Sequence, residues 1–165
     1  AASGRYTPGF NAGSTLAQGP LQSPSVFNYY SPFFAPAGEI AASNLVAPEL
    51  QLATEYQNAV VTNFFYSQAF FRNNVSYTGT NTNTILINID EEVALADNPA
   101  QLVTRIADKL LGGEISTPLR TEAQALANRI TLNGTTPQAL LTQKGQRVSE
   151  ALWLISSSPE YALQR

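Results

Sequence analysis

Apolar residues recur at three- and four-residue steps through four stretches of this 165-residue chain, and each stretch carries its own start signal. The first begins at Pro48, where proline is tolerated because the first helical N–H has no partner to lose, and Glu49 faces the positive helix end. Leu50, Ala53, Tyr56, Val60, Phe64 and Phe71 set its stripe, and Leu52, Val61, Phe65 and Phe70 widen it. The pattern predicts a helix over 48–71 buried on more than one side. At this spacing Tyr56, Phe64, Phe65, Tyr66, Phe70 and Phe71 read as core packing rather than as a cofactor box. Asn98-Pro99 opens a second helix over 99–111, with Leu102, Val103, Ile106 and Leu110 inward and Gly112-Gly113 as the stop. Thr117-Pro118 opens a third over 118–132, with Leu119, Ala123, Leu126 and Ile130 inward and Asn133-Gly134 ending it. Thr136-Pro137 opens the last, over 137–156, which buries Leu140, Leu141, Val148, Leu152 and Ile155 and has its weakest point at Gly145. Trp153, between Leu152 and Leu154, is expected to be mostly buried, and Ser158-Pro159-Glu160 to cap a terminal turn.

Between these helices the pattern changes. Arg72 to Asn83 is polar and turn-forming, a surface loop. Ile85, Ile87 and Ile89 then alternate with Leu86, Asn88 and Asp90, the two-residue period of a short strand. No second strand is evident, so this segment is expected to run extended over the helices or to pair with sequence outside the chain. Asp90-Glu91-Glu92 lacks the alternating acidic positions and central glycine of a calcium loop and reads as a solvated helix start. The sequons at Asn74 and Asn133 read as chance matches.

Residues 1–44 show no sustained helical period; Gly4, Gly9, Gly13, Gly19 and Gly38, five prolines and only Arg5 and Glu39 as charges mark an extended arm. Gly38 to Asn44 adds a short helical turn. The expected fold is therefore all-α, an irregular multi-helix domain with a long N-terminal arm and at most one short strand, divided into an arm over 1–44 and a helical domain over 45–165. The arm's densest part, Ser23 to Pro36, holds five aromatics in fourteen residues and no charge. Pro24, Pro32 and Pro36 forbid one continuous helix there, so the segment either covers a core or forms a groove for a ligand or partner. Phe27, Tyr29, Tyr30, Phe33 and Phe34 are the candidate contact residues, and another chain or copy is expected to complete the burial of residues 1–36.

Composition narrows the chemistry. Charged residues make up 13% of the chain, about half the usual share, and the surface is rich in Asn, Gln, Ser, Thr and Ala. A net charge of −3 with the nine basic residues scattered singly argues against nucleic acid as a partner. No apolar run approaches the roughly twenty residues of a membrane span. Cys, His and Met are absent, which removes the thiolate nucleophile, the imidazole base and the usual zinc ligands. No metal or cofactor is expected. Lys109 and Lys144 read as solvated side chains.

Pro24-Ser25-Val26-Phe27-Asn28-Tyr29-Tyr30-Ser31-Pro32, Pro36-Ala37-Gly38-Glu39, Leu45-Val46-Ala47-Pro48-Glu49-Leu50-Gln51, the Leu110 to Gly113 helix stop, and Leu154 to Arg165 form a set of motifs. In these segments the chain resembles the bacterial family catalogued as domain of unknown function 1800. The resemblance covers residues 18–165 and implies the C-terminal part of a longer, exported protein, located in the periplasm, at the cell surface or outside the cell. It carries no catalytic residues, and the 72–97 stretch shows none of its motifs. The expected function is a non-catalytic structural or interaction module of an envelope or extracellular assembly. Its partner would be a protein, either the remainder of a longer chain or other subunits. The alternative is part of an exported enzyme acting on glycans or other polymers, with its main site elsewhere and Glu39 and Glu49 as a candidate acid–base pair. A third reading has Tyr29, Tyr30, Phe33 and Phe34 stacking on carbohydrate.

Overall fold

The structure is a computed structural model that describes residues 16–80 and 84–162. Among them are seven α-helices, one 3-10 turn and no strand. In chain order these are α1 (Glu39–Ala42), a 3-10 turn (Pro48–Leu52), α2 (Glu55–Phe71), α3 (Asp90–Leu95), α4 (Pro99–Leu111), α5 (Thr117–Asn128), α6 (Pro137–Ser156) and α7 (Pro159–Ala162). The described residues form two compact units, one of 16–64 and one of those from 65 to 162.

The larger unit is a helical bundle in which α6 packs on α4, α5, α3 and α7. Its core consists of Ile89, Val93, Ala96, Leu102, Val103, Ile106, Ala123, Ala127, Val148, Ala151 and Ile155. The start signals translate into caps. Asn98 accepts the N–H groups of Ala100 and Gln101, Ser116 that of Leu119, and Thr136 that of Ala139, each ahead of a proline in the first turn. Gly112 takes the left-handed conformation at φ 64° and Gly113 N–H reaches back to the Ala107 carbonyl, which closes α4.

Several expectations need correcting. The helix foreseen over 48–71 is divided: the 3-10 turn ends at Ala53, and Thr54 starts α2 afresh by accepting Gln57 N–H on its hydroxyl. That is the N-cap half of a capping box, the Thr54 N–H itself going to the Leu52 carbonyl at 2.9 Å. Nor is α2 buried on several sides, because Tyr56, Tyr66 and Phe71 are exposed and only Gln57 and Ala69 are buried. The third helix stops at Asn128, five residues before Asn133-Gly134. Helix α6 runs unbroken through Gly145, whose bare Cα is needed because a Cβ would lie 2.7 Å from the Val75 Cγ1. Leu141 is exposed and Trp153 only half-buried, its ring edge-on to Tyr66.

The isoleucine stretch pairs within the chain. Ile87 N–H donates to the Arg72 carbonyl at 2.8 Å and Asn74 N–H to the Ile87 carbonyl at 3.0 Å, a single parallel bridge rather than a ladder. Ile89 is buried, while Ile85 and Ile87 are exposed. Beside this bridge the buried Asn73 amide donates to the Ser149 hydroxyl at 3.1 Å and to the Ala69 carbonyl, and accepts Val75 and Ser76 N–H at 3.0 and 2.7 Å. Ser149 in turn donates to Ala69. One side chain thus ends α2, folds the next turn and fastens both to α6.

The charged residues are also more engaged than solvated. Glu92 is buried, with its carboxylate 2.7 Å from the Lys109 ammonium; Glu91 pairs with Arg105 and Lys109, and Lys144 lies 2.5 Å from Asp97. Arg147, on the inner side of α6, donates at 2.8 Å to both the Ile130 and the Ala96 carbonyls.

Candidate functional site

The 19–52 region organises itself through short-range turns. Ser25 accepts Asn28 N–H on its carbonyl and Phe27 N–H on its hydroxyl, and Asn28 turns the chain at φ 72°. Asparagine tolerates that left-handed conformation better than other residues with a Cβ. The Tyr29 hydroxyl accepts Gly19 N–H at 2.9 Å and donates to the Gly19 carbonyl, which folds the preceding ten residues back on the turn. Gln51 in the 3-10 turn accepts Ser31 N–H on its amide oxygen at 2.7 Å, and the Phe34 carbonyl accepts Ala47 N–H at 2.9 Å. These two bonds hold the aromatic segment against 47–51.

The result is a groove of about 370 Å³ lined by Pro24, Ser25, Phe27, Asn28, Tyr29, Tyr30, Ser31, Pro32, Phe33 and Gln51, without a charged side chain. Four of the five residues singled out from the sequence border it. Phe27 is 65% and Phe33 83% exposed, and Tyr29 and Tyr30 are half-buried. Phe34 is half-buried and does not line the groove. Sequence reasoning missed Gln51 and Asn28. The Ser-x-x-Asn turn signal could have found Asn28; nothing local marks Gln51, because its partner lies twenty residues away.

Tyr29 has a structural task, whereas the Phe27 and Phe33 rings are exposed among the described residues. Two large exposed rings on one groove form an apolar patch of the kind that interaction surfaces use, whereas a single exposed ring is ordinary. Hydroxyls, amides and aromatic faces without charge suit neutral, partly apolar partners, and offer no nucleophile–base pair. Glu39 and Glu49 are both exposed, each in the first turn of its short helix. Among the described residues no group of three or more carboxylates gathers to hold a metal ion. No helix there is long and apolar enough to cross a membrane.

In the other unit the closing motif is structural. The Glu160 carboxylate accepts Ser116 N–H at 2.9 Å and the Ser116 hydroxyl, so α7 is fastened to the start of α5. Tyr161 meets Phe65 edge to face. Leu163 to Arg165, the last residues of that motif, lie outside the described residues. No curated protein and no solved structure matches the chain. The family model described as protein of unknown function (DUF1800) matches residues 5–163, so nearly the whole chain, aromatic groove and Glu160 fastening included, belongs to the DUF1800 family.

Proposed function

We infer that this chain is a non-catalytic interaction module of an exported bacterial protein or of an envelope or extracellular assembly, and that its partner is a protein seated on the 24–33 groove. The observation that carries this reading is the exposure of Phe27 and Phe33 at the rim of a groove built from the segment that bears the family motif. Burying two such rings on a partner removes apolar surface worth about 1.5–3 kcal/mol per side chain, the usual contribution of an interface anchor. A groove without charge also fits a chain whose surface is neutral and rich in amides.

The test is a Phe27→Ser, Phe33→Ser double variant compared with the unaltered chain. Both residues are exposed, so the unfolding free energy should stay within the scatter of ordinary surface changes, about 0.5 kcal/mol per substitution. Binding to the protein that copurifies with the unaltered chain from its native source should be lost. If that complex persists undiminished in the variant, or if the purified chain hydrolyses a glycan or other polymer, the reading is wrong.

A further inference from the structure

We propose that Asn133-Gly134 is a site of spontaneous deamidation that the fold holds in check through Gln143. The chemistry is intrinsic to an Asn-Gly pair: the unhindered glycine nitrogen attacks the asparagine Cγ, and the Cγ–Nδ2 bond breaks. Ammonia leaves, taking up the proton lost by the glycine nitrogen, and a five-membered succinimide remains. Water then opens the ring at either carbonyl to give aspartate or isoaspartate. Nothing beyond water is required.

Packing prevents this chain from removing the hazard by changing the glycine. A Cβ at residue 134 would stand 2.7 Å from the Leu140 backbone nitrogen and 2.9 Å from the Ala139 carbonyl carbon, inside the first turn of α6. The loop must therefore present a bare glycine next to an exposed asparagine.

Gln143, less than two turns along α6, closes over both reacting groups. Its amide oxygen accepts Asn133 N–H at 3.0 Å and Gly134 N–H at 2.9 Å, while its amide nitrogen donates to the Asn133 Oδ1 at 2.7 Å. Attack requires the Gly134 nitrogen to lose its proton and turn toward the Asn133 Cγ. The bond from Gly134 N–H retains that proton and aims the N–H at Gln143, while the bond to the Asn133 Oδ1 fixes the side-chain amide that would have to rotate. One glutamine thus restrains nucleophile and electrophile together, and a reaction is possible only when the clamp opens.

The experiment is peptide mapping by mass spectrometry of the purified chain during incubation at mildly alkaline pH, with a synthetic 130–136 peptide as reference. The folded chain should keep Asn133 as the amide while the peptide converts to aspartyl and isoaspartyl products. Gln143→Ala, which deletes three hydrogen bonds, should accelerate conversion at Asn133 about tenfold or more. Gln143→Glu retains the acceptor for the two backbone N–H groups but not the donor to Oδ1, and should fall between. Conversion of the folded chain as fast as the peptide would overturn the proposal, as would Gln143→Ala reacting at the unaltered rate. If Gln143→Ala unfolds, all its asparagines should accelerate together, and the comparison of folded chain with peptide then decides.

Discussion

Arg147 is the clearest case of a residue whose neighbours in sequence conceal its task. It sits between Gly145 and Val148 on the buried side of α6, yet its guanidinium reaches carbonyls 17 and 51 residues away, at Ile130 and Ala96. Charged hydrogen bonds to a buried group are worth about 1.5–3 kcal/mol each, so Arg147→Ala should lower stability by roughly 3 kcal/mol, read as a shift in the urea midpoint. A smaller effect is due at Trp153. It is half-buried with an indole N–H that finds no acceptor among the described residues, so Trp153→Ala should cost less than the roughly 3–5 kcal/mol of a core tryptophan. The carboxylates act with opposite signs. Hydrogen bonds from Arg105 and then Lys109 hold the Glu91 carboxyl below its ordinary value of 4.5, so its contribution is present above that pH and is lost as pH falls through the lower folded value. Burial pushes Glu150 up, against the pull of Arg129, so its effect is a loss of stability as pH rises from 4.5 through the higher folded value. Melting temperature followed against pH should therefore lose part of its acid fall in Glu91→Gln, whereas Glu150→Gln should gain stability at neutral pH.

The helices themselves were legible because each of α4, α5 and α6 is announced by a polar residue and a proline, a signal that acts within one turn. The break at Ala53 was equally local, in Thr54-x-x-Gln57, but the apolar stripe running across it concealed it. The inward aromatics of α2 were misjudged for a different reason: periodicity gives the face of a helix but not whether anything lies against it. Gly145 shows the same limit. By propensity a mid-helix glycine weakens a helix, and replacing it with alanine should add up to about 1 kcal/mol. Here the added methyl meets Val75, so Gly145→Ala should instead destabilise by about 1–3 kcal/mol. Trimming the obstacle should reverse that sign. In a double-mutant cycle by chemical denaturation, Gly145→Ala in a Val75→Ala background should cost nothing or stabilise.

For the chain as a whole, its all-α class and its place in the DUF1800 family could be read from the sequence, since both rest on short motifs. The groove could be read only in part. Its aromatics stand out in composition, whereas its shape depends on Gln51 and on the Tyr29–Gly19 link, which join segments ten or twenty residues apart. The Asn73 node spans farther still, and this governs the order of folding events. Its bond to Ser149 closes a loop of 76 residues. The entropy lost on closing such a loop must be met before the contact contributes anything, which favours assembling the local α4–α5–α6 contacts first. Asn73 should then be bystander rather than nucleus: Asn73→Ala should leave the refolding rate nearly unchanged, while the unfolding rate rises about 30-fold for a loss of about 2 kcal/mol. Stopped-flow chevrons of the two proteins should share a refolding limb and part on the unfolding one. The amide that ties α2 to α6 would thus set how long the folded state lasts, not how quickly it is reached.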